Sequence, residues 1–240
     1  MKTLGKRFFS LLTGFLLAVS LPAHAAAYSI MTDHNVFRHH DNDCMKIALT
    51  FDDGPSTKYT ADILDYLQAE DIHATFFLVG SQARANPDLV RREAAEGHEL
   101  GNHTDSHPRL CRLSADALRR EVLACEDTVY ELTERRTLLF RPPEGHCTGE
   151  ISALAESLDY RIILWNIDTR DWEHATADEI AQNILSNVTS GDIILFHDCV
   201  SRKDSQTLSA LKKVVPELKS RGFRFVTVSE LVDTQTDSTE

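Results

Sequence analysis

Positive charge is scarce in this 240-residue chain: 25 lysines and arginines stand against 37 aspartates and glutamates, for a formal charge of −12. A surface so acidic repels phosphate backbones, which argues against nucleic acid as a partner. The five cysteines (Cys44, Cys111, Cys125, Cys147 and Cys199) include no C-x-x-C pair, so neither a zinc ribbon nor a thioredoxin-like redox centre is indicated. No Pro/Gly/Ser-rich linker and no internal repeat divides the chain, which favours a single folded domain. The apolar stretch at residues 8–21 is shorter than the ~20 residues a membrane-spanning helix needs. Composition is otherwise ordinary, with 42% hydrophobic and 26% charged residues, and this excludes a disordered or collagen-like chain.

The apolar stretch has another meaning. Lys2, Lys6 and Arg7 precede it, and Ala23 and Ala25 follow it two positions apart. These are the basic region, hydrophobic region and small-residue cleavage site of an export signal. Cleavage after Ala25 leaves 22 basic against 37 acidic residues, about −15. The protein is therefore expected to be exported, periplasmic or secreted from a bacterium, with no membrane span after signal cleavage. Disulfides are permitted in those compartments.

Short β-branched and apolar runs at 46–51, 73–79, 98–102, 137–140, 160–165, 192–196 and 224–228 predict seven strands. Between them, helical spacing predicts helices over 57–70, 81–96, 114–133, 150–158, 176–188 and 207–220, followed by a turn at 229–232. Pro87 breaks or opens the second helix, and Ser114 is a candidate cap for the third. Buried-type strands alternating with helices predict a parallel α/β sheet, either open and doubly wound or curled into a barrel.

Unusual polar residues gather where these strands end. Asp52 and Asp53 follow the first strand, His103 and His107 the third, Arg141 the fourth, Asp168 and Asp171 the fifth, and His197 the sixth. In α/β sheets and barrels the carboxyl rim is where sites are built. Two imidazoles four residues apart are a weak metal signal alone and are often plain surface histidines. Asp53 from another strand end completes a two-His, one-carboxylate set with open positions, the pattern of catalytic zinc and also of iron(II) oxygenases. Zinc is preferred because hydrolytic partners lie nearby. Pro108 disfavours a helix at His107, so a loop or single tight turn is expected. Asp52 is the candidate general base, held ionised by Arg141. His197 is the candidate acid, with Asp168 expected to hydrogen-bond one ring nitrogen and raise its pKa. Trp172 and Leu195 are expected to wall a small apolar pocket, the plain alternative being ordinary core.

Read in order, Thr-Phe-Asp-Asp-Gly-Pro at 50–55, His-Thr-Asp-Ser-His at 103–107, Arg-Pro-Pro-Glu-Gly at 141–145, Asp-Thr-Arg-Asp-Trp at 168–172 and Leu-Phe-His at 195–197 resemble the five motifs of the polysaccharide deacetylases. This is the NodB-homology family, also called carbohydrate esterase family 4. The resemblance implies a distorted (β/α)7 barrel, a single NodB-homology domain, and metal-dependent deacetylation of acetamido sugars. It implies Asp53, His103 and His107 as ligands to a divalent metal, most often zinc, and Asp52 as the base held by Arg141. His197 is then the acid tuned by Asp168, and Leu195 and Trp172 line the acetyl pocket. Pro143, Glu144 and Gly145 fall in the substrate wall. The chain departs from the pattern at Glu144, where the family commonly carries an aromatic residue.

The expected division is residues 1–25 as signal, 26–44 as N-terminal extension, 45–232 as catalytic domain and 233–240 as polar tail. The expected partner is an N-acetylated glycan: peptidoglycan, a chitin-type oligomer or a similar polymer. An O-acetyl esterase on xylan-like glycans, a small-molecule amidohydrolase and a non-catalytic glycan-binding module are the alternatives on the same fold. Cys111 and Cys147 lie just beyond motifs on neighbouring strands, and a disulfide between them is expected to staple two rim loops.

Overall fold

The structure, a computed structural model, describes residues 35–40, 44–200 and 204–233. The expected export signal and all but the first residue of the expected tail lie outside them. The first long strand, β2 (Lys46–Asp52), is β-branched and apolar and is followed by helix α1 (Thr60–Ala69). Next come β3 (Thr75–Leu78), α2 (Gly80–Ala85), α3 (Pro87–Ala95) and β4 (Glu99–Asn102). The single helix expected over 81–96 is thus two helices. Pro87 has no N–H to donate and disfavours helical backbone at Asn86, which takes φ −133° and ψ 56°. Helix α4 (Ala115–Thr133) starts at the expected cap, the Ser114 hydroxyl accepting from the Ala117 N–H at 3.3 Å.

The second half continues with β5 (Leu139–Phe140), α5 (Gly149–Ser157), β6 (Arg161–Ile163) and β7 (Ile167–Asp168). After these come α6 (Ala177–Asn187), β8 (Ile193–His197), α7 (Thr207–Ser220), β9 (Arg224–Phe225) and α8 (Val228–Val232). Capping boxes at Thr176 with Glu179 and Thr227 with Glu230 start α6 and α8. The capped start at Thr227 turns the expected turn at 229–232 into a helix. Two strands, β7 and the edge strand β1 (Val36–Phe37), were not expected, since two residues carry no readable alternation. Part of the expected extension is therefore sheet: Val36 and Phe37 pair with Ile162 and Ile163 of β6.

Every ladder is parallel, and the order is β1-β6-β5-β4-β3-β2-β8-β7, with β9 pairing the start of β2. An antiparallel bridge between His39 and Asp192 ties the segment after β1 to the start of β8. The sheet curls into the distorted, incompletely closed (β/α) barrel that was expected.

Alternation along the strands divides the core. Ile47, Leu49, Phe51, Phe76, Leu78 and Phe196 point outward and pack under Leu64, Leu67, Ile180, Ile184, Leu211 and Val214 of the helices. Each such side chain, fully buried, contributes about 1.5–3 kcal/mol. Ala48, Phe77, Leu139, Ile163 and Ile193 point inward and meet Val228, Leu231 and Val232 of α8. This helix is tied to the starts of β3 and β4, Val228 N–H donating to the Thr75 hydroxyl and Ser229 N–H to Glu99. The amino end of the barrel is therefore plugged with apolar groups, and the polar inward positions fall at the carboxyl end. No helix among the described residues is long and apolar enough to cross a membrane.

The expected Cys111–Cys147 disulfide is not present. Cys111 is exposed in the 3-10 turn Leu110–Arg112, whereas Cys147 packs against the cluster of Leu118, Phe140 and Ile151. Neighbouring strand ends do not by themselves supply the Cβ separation and direction that a disulfide needs.

Candidate active site

Asp52 shares the inward parity of Ala48 and Thr50 and lies directly opposite His197 in the β2–β8 register. A regular strand would turn Asp53 the other way. Instead Asp53 takes φ 75°, breaking the alternation, so both carboxylates face one pocket. Gly54 follows because no side chain fits there: a Cβ would lie 2.1 Å from the Asp198 carboxylate. Asp198 also knits the turn together, its N–H donating to the Asp52 carbonyl and its carboxylate accepting from the Thr60 hydroxyl.

Asp52 is 3% exposed and paired with Arg141, whose Nη1 donates to Asp52 Oδ1 at 2.7 Å. Arg141 is fully buried. Its remaining donors go to the Thr50 hydroxyl and the Ile163 and Leu164 carbonyls, at 2.8, 3.1 and 3.2 Å. The guanidinium lies 4.0 Å from the Phe77 ring centre and 5.5 Å from that of Trp165. Packed on both sides and hydrogen-bonded, it holds a buried carboxylate in one orientation.

His103 follows β4 and is 2% exposed. Its Nδ1 donates to the Arg141 carbonyl at 2.7 Å, which turns Nε2 towards the pocket. The segment to His107 is a loop, as Pro108 suggested, with positive φ at Thr104 (68°) and His107 (52°). Glu121 of α4 accepts from the Asp105 and Ser106 N–H groups, and Arg84 of α2 grips Asp105 with two hydrogen bonds at 2.7 and 2.9 Å. The loop is thereby staked to the helices behind it. Asp53 Oδ1 lies 3.4 Å from His103 Nε2 and 3.3 Å from His107 Nε2. Burial opposes ionisation of Asp53, yet the neighbouring His103 holds its carboxyl down at about 2.

Asp53, His103 and His107 each aim one donor atom at the same point, all within 4.8 Å of one another. Asp53 Oδ1 is buried and makes no hydrogen bond. A buried oxygen without a partner is costly, and a cation at that point would satisfy it together with the two imidazoles. These residues therefore fit a divalent metal ion.

The structure corrects the pairing expected for His197. Asp168 does not reach the ring; its Oδ1 accepts from the Arg170 N–H at 2.9 Å. The partner is Asp171, fully buried, with Oδ1 2.8 Å from His197 Nδ1 and Oδ2 accepting from the His197 N–H at 2.9 Å. Thr207 of α7 donates to the same Oδ2 at 2.6 Å. Arg170 at φ 57° turns the chain between the two aspartates, so that Asp171 points inward. Burial alone would lower the His197 pKa; the hydrogen bond and charge of Asp171 outweigh it and raise the imidazole to about 9.

Asp52, Asp53, His103, His107 and His197 share one pocket of about 420 Å³ with Glu144, Trp165, Asp168, Trp172 and Leu195. Leu195 is buried and Trp172 is 47% exposed, so the wall runs from apolar floor to open rim. Pro143 and Gly145 flank Glu144 in the 3-10 turn Pro143–Gly145, but only Glu144 of the three reaches the pocket lining. Trp165 was missed. It lies at the expected end of a strand, and its role shows only where its ring meets Arg141 and underlies Gly145, whose Cβ would sit 2.9 Å from the indole.

A sequence model described as polysaccharide deacetylase matches residues 39–163. A peptidoglycan-N-acetylglucosamine deacetylase of Bacillus cereus is 42% identical over 188 residues, covering 78% of this chain and 87% of the relative. The crystal structure of the Bc1960 peptidoglycan N-acetylglucosamine deacetylase superimposes with a TM-score of 0.81 and 35% identity, over 84% of this chain and 94% of that one. A family 4 acetyl xylan esterase from Clostridium thermocellum, in complex with a cobalt ion, gives 0.72 and 31%, over 78% and 90%. The family match includes the strand ends that carry Asp52, Asp53, His103, His107 and Arg141, and the relatives extend it over more than three quarters of the sequence; this chain belongs to the polysaccharide deacetylase family.

Proposed function

We propose that this chain is an exported, zinc-dependent N-deacetylase that hydrolyses acetamido groups of N-acetylhexosamine glycans, such as peptidoglycan or chitin-type oligomers, to free amine and acetate. One observation carries the proposal: Asp52, held by the buried Arg141, and His197, held by the buried Asp171, share one pocket with three converging metal-donor side chains. An amide needs both, because its carbonyl is a poor electrophile and its amine a poor leaving group. Asp53, His103 and His107 would hold the zinc ion, which when bound would supply Lewis acidity to the acetyl oxygen and to the attacking water. Asp52 takes the proton from the attacking water. The backbone N–H of Glu144 is the candidate donor to the developing oxyanion. His197 Nε2 delivers a proton to the departing nitrogen, while Asp171 keeps the ring oriented and charged. Leu195 and Trp172 enclose the acetyl methyl.

An amine needs a proton to leave more than an alkoxide does, and the His197 imidazole, hydrogen-bonded to Asp171, is placed to supply it. The complete acid and base set argues against a binding module. Acetate release from N-acetylglucosamine oligomers, lost on chelation and restored by zinc, is the expected result. Turnover of a small amide with none from any glycan would favour the amidohydrolase alternative, and release only from acetylated xylan would favour the esterase.

The corrected pairing has its own consequence. The Asp171→Asn variant loses the charge that holds His197 protonated, so the alkaline limb of kcat/KM is expected to move from near pH 9 towards pH 6.5. Activity depends on the protonated ring and is lost as pH rises through its pKa, so the deficit grows with pH. In Asp168→Asn the limb is expected to stay in place. An equal shift in both variants would remove the assignment to Asp171.

A further inference from the structure

We propose that Glu144 makes this site selective for glycans that carry an ammonium group beside the acetamido sugar under attack. The proposal rests on the deacetylase function above and adds a preference within it. Glu144 stands where the sequence resemblance implies an aromatic wall, on left-handed backbone with φ 58° and ψ 14°. It is exposed and lines the same pocket as His103, His107 and Trp172.

The charge balance of the pocket singles this residue out. Asp52 is answered by Arg141, Asp53 belongs to the metal site, and Asp171 is answered by His197. Asp168 accepts from a backbone N–H, and the guanidinium of the adjacent Arg170 is turned away to Glu173 at 2.7 and 2.9 Å. Among the described residues, the Glu144 carboxylate has no hydrogen bond or ion pair, and no lysine or arginine lines the pocket. Among the described residues, the rim therefore holds one carboxylate without an ion-pair partner, Glu144, and beside it Asp168, which accepts from the Arg170 N–H. Trp172, half exposed beside them, offers an aromatic face on which a pyranose ring can pack.

The reaction itself produces a cation that fits. Hydrolysis adds water across the C–N bond, releases acetate and leaves an amine that is protonated at neutral pH on the same polymer. A sugar already deacetylated then presents its ammonium to Glu144 while its neighbour occupies the metal site. An amine on a peptide attached to the glycan has the same chemistry. In the first case a partly deacetylated chain becomes a better substrate than an untouched one; in the second, a glycan whose peptide carries a free amine is preferred from the start.

The test compares kcat/KM for acetate release from a fully acetylated N-acetylglucosamine tetramer with that from a tetramer containing one free glucosamine. A disaccharide-peptide with a free amine, and the same molecule with that amine acetylated, separate the two sources of the cation. At low ionic strength the wild type is expected to prefer the cationic substrate by up to about fivefold, the size of a partly exposed ion pair. The preference is expected to fall towards one at about 0.5 M salt and in the Glu144→Gln variant, which keeps the backbone N–H and the side-chain shape. A wild type without preference, or a preference that survives both salt and the substitution, overturns the proposal. Should Glu144→Gln be impaired on every substrate alike, the salt dependence of the wild-type ratio decides. The only two tryptophans, Trp165 and Trp172, both line the pocket, so quenching of their fluorescence reports binding without turnover. Absence of acetate from every arm would count against the deacetylase function, while the fluorescence ratio would still decide the role of Glu144.

Discussion

Asp52→Asn is expected to lower kcat for acetate release by about 10³–10⁴-fold, the upper range for loss of a general base, while the protein still takes up its metal. Asparagine keeps the size of the side chain and can still meet Arg141 through its carbonyl oxygen, so the pocket should keep its shape. It cannot accept the proton of an attacking water. The variant separates Asp52 from its neighbour because the two carboxylates have different surroundings. Asp52 Oδ1 is fastened to Arg141 at 2.7 Å, and its Oδ2 is 3.8 Å from His103 Nε2. Asp53 Oδ1 stands closer to both imidazoles, at 3.4 and 3.3 Å. Kinetics on an acetylated oligomer, combined with calorimetric titration of zinc, would check the outcome. Residual activity within tenfold of the wild type would exclude Asp52 as the base, and loss of zinc binding would make it a ligand.

Arg141→Met is expected to destabilise the fold by about 3–5 kcal/mol, because it leaves the Asp52 carboxylate buried without its countercharge. For a chain of this size that corresponds to a fall in Tm of roughly ten degrees. The effect is large because Arg141 is a structural hub as well as the partner of Asp52: it bridges β2, β5 and the end of β6 through Thr50, Asp52, Ile163 and Leu164. Activity should fall as well, since Asp52 is no longer held. A double-mutant cycle identifies the cause. If the cost comes from an orphaned charge, Asp52→Asn combined with Arg141→Met is more stable than Arg141→Met alone. If the double variant gains nothing, the loss lies in the packing of the guanidinium between Phe77 and Trp165.

Much of the site was legible before any fold was known, for a simple reason. Alternation along a strand follows from the backbone alone, so Thr50 and Asp52 share a face, and so do Leu195 and His197. A parallel sheet then brings the strand ends to one rim. The chemistry of the residues at those ends (two imidazoles, paired carboxylates, an arginine) restricts what they can do together. The apolar periods of α4 and α7 and the cap at Ser114 are equally local, and those helices begin within a residue of where the pattern placed them.

What was not legible depends on turns and on pairing across distance. Asp168 and Asp171 are three residues apart and chemically alike. The left-handed turn at Arg170, held by the fit of Asp171 against His197 and Thr207, decides which one serves the histidine. The positive φ at Asp53 similarly brings two consecutive carboxylates to one side. Strands of two residues, β1 and β7, exist because β6 and β8 offer them open edges, and no pattern that short carries a period. Cys111 and Cys147 follow the same rule: neighbouring strand ends do not by themselves fix the Cβ separation and direction that a disulfide needs. The residue types and their spacing along the chain thus prescribed the elements, the rim and the available chemistry, through steric and hydrophobic preferences that act over a few neighbours. Long-range packing assigned partners within the rim, because the direction of a side chain after a turn depends on contacts with residues far away in the chain.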